Sequence, residues 1–187
     1  LVQEAFDWEH AVFMGATMSS ETTAAAAGAV GQLRFDPMAM LPFCGYNIGD
    51  YFAHWLKLGT EIESLATEDA PALLPEIFCV NWFRKDDNGD FLWPGYGENM
   101  RVLKWIFERV GGGGGAESSV LGWKPRFEDL DWTGIEVPSR ERFDAAIKID
   151  AAEWLQELEL QRELFAKIGK RLPASFTAIC DRLEERL

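Results

Sequence analysis

The clearest hydrophobic period lies near the C-terminus. Between residues 151 and 168, Trp154, Leu155, Leu158, Phe165 and Ile168 alternate with Glu153, Glu157, Arg162 and Lys167 in the manner of a two-faced helix. Pro173 ends that pattern, and a last short helix is expected to reach Leu187. Phe52, Trp55 and Leu56 share one helical face within residues 49–56, and Val102, Leu103, Ile106 and Val110 form a stripe within 97–110. Residues 139–149 also read as helix, without a capping box between Ser139 and Arg142. Residues 74–83 are β-branched and aromatic with no helical period, which predicts a buried strand. Residues 5–17 predict a short strand followed by a helix.

Punctuation divides these elements. Asp86-Asp87-Asn88-Gly89-Asp90 is a strong turn signal. Residues 38–46 read as irregular, and residues 60–72 as a polar, acidic surface connection. Five glycines at 111–115 predict a flexible loop over 111–124, and 125–138 reads as loop anchored by Trp132. Residues 19–31 are small and almost uncharged. Their alanines favour a helix, while Gly28 and Gly31 leave a mobile loop open. No internal repeat is found. The expected organisation is residues 1–110, a glycine-rich loop at 111–124, and a mainly helical segment at 125–187, in one α/β lobe.

Length and composition narrow the class. A chain of 187 residues with 48% hydrophobic and 26% charged positions is globular in composition, which argues against disorder. No uncharged apolar run approaches the roughly 18 residues of a membrane span, so no membrane partner is expected. Acids outnumber Lys and Arg 31 to 18, a net charge of −13 that repels a nucleic-acid backbone, yet a small nucleotide in a local pocket remains compatible. Cys44, Cys79 and Cys180 are widely spaced with no CxxC, favouring a reducing, cytoplasmic compartment over a disulfide framework or a zinc ribbon. His10 and His54 are the only histidines, and they read as structural or surface side chains, so no metal site is expected. The chain begins Leu1-Val2-Gln3-Glu4 with no signal-peptide pattern, and reads as part of something longer.

Candidate chemistry concentrates in residues 81–99. Trp82 and Phe83 close a predicted strand, a polar turn follows, and Phe91, Trp93 and Tyr96 return before a helix begins. Rings on two lips of one turn can sandwich a planar base, worth about 1–3 kcal/mol per base whatever its identity. Identity then needs a polar edge, and Asn99 near the helix start offers both a donor and an acceptor for a guanine. The same rings also suit plain hairpin and core packing, and Pro94-Gly95 and Gly97 permit close approach of a ligand. Both readings stand at this point. Phosphates are a different matter: the sequence has no GxxxxGK[ST], and residues 1–83 carry two cations, Arg34 and Lys57, against eleven acids. A phosphate and metal site is therefore expected on sequence preceding Leu1.

A family resemblance covers these residues. Glu4-Ala5, Gly15-Ala16-Thr17-Met18, Ser20-Glu21-Thr22-Thr23-Ala24-Ala25-Ala26, Asp36-Pro37-Met38-Ala39-Met40, Pro42-Phe43, Gly45-Tyr46-Asn47, His54-Trp55-Leu56, Asn81-Trp82-Phe83-Arg84-Lys85-Asp86 and Phe91-Leu92-Trp93-Pro94-Gly95 resemble the GTP-using phosphoenolpyruvate carboxykinases. The similarity is dense over residues 1–110 and thinner to Leu187. The resemblance implies part of a C-terminal mononucleotide-binding lobe. It implies an enzyme of gluconeogenesis, a decarboxylating lyase that takes oxaloacetate and GTP to phosphoenolpyruvate, carbon dioxide and GDP with Mn²⁺ and Mg²⁺, as a monomer. It implies that Phe83 and Tyr96 stack on the faces of guanine, Phe91 meets its edge, and Trp82 and Asn99 make polar contacts. The family usually has Phe where this chain has Tyr96. By the same resemblance Thr22, Thr23, Ala24, Ala25, Ala26, Ala27 and Gly28 belong to a mobile lid, which reverses the helix preference drawn from composition. The family's phosphate loop, metal ligands and substrate arginines precede the matched part, so these residues alone are expected to be inactive. The alternative is an inactive guanine-nucleotide-binding or acidic interaction module.

Overall fold

The computed structural model of the protein describes residues 1–21, 33–71, 73–135 and 138–187. Helix and sheet are both present, as the α/β expectation requires, and they divide into two compact units. One comprises residues 1–6 and 76–150, the other residues 7–75 and 151–187.

The first unit is built on a small antiparallel sheet in the order β4-β1-β6-β5, with β1 at Val2–Glu4, β4 at Phe78–Val80, β5 at Glu117–Ser118 and β6 at Trp123–Lys124. The register pairs Val2 with Val80 and Glu4 with both Phe78 and Trp123. The strand expected over 74–83 is shorter than its composition suggested. It lies at the sheet edge, so Cys79 is exposed and only Phe78 and Val80 lean on the core. Helix α3 (Asn99–Val110) buries Val102 and Trp105 completely. Val110, placed in the core stripe by periodicity, is 57% exposed, because Trp105 takes the inward position. Around these two pack Val2, Trp93, Leu130 and Phe143, the last from α4 (Arg140–Ile147). Trp132 joins this cluster with its indole N–H donated to Phe127 O at 2.9 Å, the anchor expected of it.

Two polar devices close the first unit. Arg109 grips the buried Glu4 carboxylate with two bonds, 2.6 and 3.0 Å, tying α3 to the central strand. The glycine run forms no regular element beyond the end of α3 at Val110, as expected, while Gly111, Gly112, Gly113 and Gly114 donate to carbonyls of Phe107, Arg109 and Glu108. The Trp105 indole then donates to Gly115 O at 2.8 Å. The helix end supplies the acceptors for these glycine N–H groups.

The second unit holds α1 (Trp8–Ala16), α2 (Ile48–Ser64), α5 (Ala151–Ile168) and α6 (Ala174–Arg186), with a hairpin of β2 (Ser19–Glu21) and β3 (Leu33–Phe35). Asp7 caps α1 by accepting from the His10 N–H, and Asn47 caps α2 through Gly49. The core is aromatic: Phe13, Phe52, Phe165 and Phe176 meet at centroid distances of 5.4–6.0 Å. His10 is buried against Phe13, and burial pushes the Cys180 thiol up to about 11, so both serve packing. The acidic stretch after residue 60 begins as helix, since α2 continues to Ser64. The alanine-rich residues that raised the choice between helix and lid lie outside the described residues.

Gly122 joins β5 to β6 at a φ of 141°, where an added Cβ would sit 2.3 Å from Glu4 O. Gly122→Ala is therefore expected to cost about 3 kcal/mol, as strained backbone plus a clash with the central strand. Urea unfolding checks this, and a loss under about 0.5 kcal/mol, the range of an ordinary surface change, would contradict it.

Candidate functional site

The turn at residues 86–90 folds as its residues dictate. Asp86 accepts from the N–H groups of Asn88 and Asp90 through one carboxylate oxygen, at 2.9 and 3.0 Å. Its own N–H reaches Asp90 O at 2.9 Å, and Leu92 N–H reaches Arg84 O at 2.9 Å. Lys85 and Phe91 pair across this hairpin. Asn81 steadies its entry by accepting from Phe83 N–H at 2.9 Å.

The hairpin is also held from behind. Arg142 of α4 donates to Leu92 O at 3.1 Å and to Phe91 O at 2.5 Å, and Arg84 donates to Lys148 O. Beyond it, Leu92 and Trp93 turn inward, 9% and 4% exposed. Gly95 then takes a φ of 103°, which a side chain would strain, and Glu98 N–H bonds to its carbonyl at 3.0 Å. This turns the chain into a short 3₁₀ segment at Tyr96–Glu98 that leads into α3.

The sequence-derived site residues separate into two groups on this frame. Phe83, Phe91 and Tyr96 stand in water, at 73%, 48% and 95% exposure. Phe83 and Phe91 meet edge to face at 6.3 Å, and the Lys85 ammonium lies 5.1 Å from the Phe91 centroid. Tyr96, almost wholly solvated, touches neither core nor sheet. Trp82 is half-buried against the core of the unit, so its ring is part of the packing. Asn99, the first residue of α3, accepts at Oδ1 from the Trp93 indole N–H at 2.8 Å. The bonds made by Arg142 and Arg84 carry no short-range sequence signal, since Arg142 lies fifty residues from Leu92 and Arg84 sixty-four from Lys148.

Positive charge next to this surface is already engaged. A shallow depression of about 250 Å³ is lined by Gly97, Glu98, Met100, Arg101, Lys104 and Asp131. Arg101 bonds to the Glu98 carboxylate and to the carbonyls of Asp131 and Thr133. Lys104 bonds to Asp131 at 2.6 Å and holds that carboxyl well below the usual carboxylate range. Among the described residues, no group of three or more His, Cys, Asp or Glu side chains could hold a metal ion. The same residues include no helix long and apolar enough to cross a membrane.

What these residues offer is exposed aromatic area and one oriented amide. Residues 1–186 match the family described as the phosphoenolpyruvate carboxykinase C-terminal P-loop domain, and the chain belongs to that family. It is similar over its whole length to proteins named phosphoenolpyruvate carboxykinase [GTP]. The identity is 51% to that of Anaeromyxobacter dehalogenans (strain 2CP-C), 50% to that of Neocallimastix frontalis and 48% to that of Paenarthrobacter aurescens (strain TC1). The chain spans about 30% of the length of these curated relatives.

Removing the support that Arg142 gives the hairpin tests this frame. In Arg142→Met the carbonyls of Phe91 and Leu92 lose their donors, worth roughly 1 kcal/mol. Amide exchange at Leu92 is expected to quicken about five- to tenfold, while exchange in α6 stays unchanged. Equal exchange at Leu92 in both proteins would show that Arg142 does not hold the hairpin.

Proposed function

We propose that this chain supplies the guanine-holding face of a GTP-using phosphoenolpyruvate carboxykinase. Phe83 and Tyr96 take the two faces of the base, Phe91 meets its edge, and Trp82 and Asn99 make polar contacts to it. The observation that carries this reading is the solvation of three aromatic rings on a hydrogen-bonded frame, in a chain of this family. Large rings left in water forgo roughly 1.5–3 kcal/mol of burial each, so a rigid exposed set is poised to bury itself against a flat ligand. Tyr96 keeps the ring that stacking needs and adds a hydroxyl at its rim.

The proposed reaction of the whole enzyme is the conversion of oxaloacetate and GTP to phosphoenolpyruvate, carbon dioxide and GDP, in the cytoplasm and in the direction of gluconeogenesis. This chain's part in it is to bind and orient the nucleotide by its base. In the proposed mononucleotide-binding lobe, residues 22–28 serve as the lid, and the paired strands β2 and β3 flank them in the sequence. The Mn²⁺ and Mg²⁺ of the family find no fitting donor set among the described residues, so no step is assigned to them here. Arg101 and Lys104 being paired, the 187 residues alone are expected to show no carboxykinase turnover. The one-lobe division at residues 110 and 124, and a monomeric state, belong to the same proposal.

Titration of tryptophan emission with guanosine and GDP tests the base-holding role. Tyr96→Ala is expected to weaken guanosine by about 1–3 kcal/mol, the value of one stacked face, while leaving stability within about 0.5 kcal/mol because the ring is solvated. No change of emission in the unaltered chain at millimolar nucleoside would refute it.

A further inference from the structure

Trp93 lies at the back of the aromatic surface and carries a consequence for which base is accepted. Its indole is 4% exposed and can only donate. The bond from Nε1 to Asn99 Oδ1, 2.8 Å, gives that buried N–H its partner. Turning the Asn99 amide over would bring Nδ2 against the indole, donor against donor, and leave the buried N–H unsatisfied. The amide is thus locked in one sense. Oδ1 faces inward, and the group Asn99 has left for a ligand is Nδ2, a pure donor. We propose that Trp93 is a positioning residue for base selection: by fixing the Asn99 amide it makes the site accept 6-oxopurines and reject 6-aminopurines.

The chemistry follows from the purine rims. Guanine and hypoxanthine present an acceptor oxygen at position six, whereas adenine presents an amino donor there. A fixed N–H donor bonds to the first and opposes the second. Stacking by Phe83 and Tyr96 does not discriminate between them, because every purine has the same π faces. Selection therefore rests on the orientation of one amide, and that orientation rests on one indole. This inference depends on the base-holding role proposed above.

The test measures binding of four nucleosides to the 187-residue chain by equilibrium dialysis: guanosine, inosine, adenosine and diaminopurine riboside. In the unaltered chain the two 6-oxo nucleosides should bind at least about tenfold more tightly than their 6-amino counterparts. Trp93→Phe keeps a ring and removes the donor, so the ratio should fall below about threefold while adenosine affinity holds within about twofold. Loss of packing alone would weaken all four together. Asn99→Asp, which still accepts from the indole but presents no N–H, should lose the 6-oxo preference, and this variant decides the matter if Trp93→Phe fails to fold. An unchanged ratio in folded Trp93→Phe, or a retained 6-oxo preference in Asn99→Asp, overturns the role of Trp93. Binding of none of the four by the unaltered chain overturns the base-holding role itself, and this proposal with it.

Discussion

Rings can stay in water on a protein surface only if the backbone beneath them is prevented from folding them away. The closure of the 84–92 hairpin imposes that restraint. Leu92 N–H on Arg84 O fixes the register of its two sides, and the inward turn of Leu92 and Trp93 fixes which side faces the core. With its neighbour Leu92 turned inward, Phe91 points the other way, and the bend at residues 92–93 then brings Trp93 inward as well. Phe83, on the opposite arm, comes to lie edge to face against Phe91. A slack hairpin would let the same rings collapse inward, and their exposure would be lost.

The restraint depends on parts far away in sequence. Arg142 and Lys148 belong to the segment that follows the glycine run, yet they tie down both arms of the hairpin. The core beneath the hairpin is shared by residues from Val2 to Phe143. Unlike charges hold the sheet to α3 through Glu4 and Arg109, in a chain otherwise dominated by acid. In the proposed role the excess of acid is no obstacle, since the surface that would meet the base is aromatic. The neighbouring cations serve the fold by pairing with Glu98 and Asp131.

Much of this was legible in the residue pattern, for reasons that differ by element. Helices such as Ala151–Ile168 announce themselves by period, and Asp86-Asp87-Asn88-Gly89-Asp90 by turn chemistry. The buried strand expected over 74–83 was overestimated because β-branched and aromatic composition does not reveal an edge. Val110 was misplaced because Trp105, one turn and a half back, fills the inward position with a far larger side chain. The glycine run forms no regular element, as its composition suggested, but its hydrogen bonds to the carbonyls at the end of α3 had no local signal. At the site, residue types pointed to Phe83, Phe91, Tyr96 and Asn99, but the bonds that orient them span up to fifty or more positions and had no local signature.

In the proposed role, Phe83 and Tyr96 close on opposite faces of one purine. Intermolecular nuclear Overhauser effects from bound guanosine test it most directly. The base proton H8 is expected to show contacts to both rings in the same complex. Contacts to one ring alone, or to the half-buried Trp82 ring instead, would contradict it.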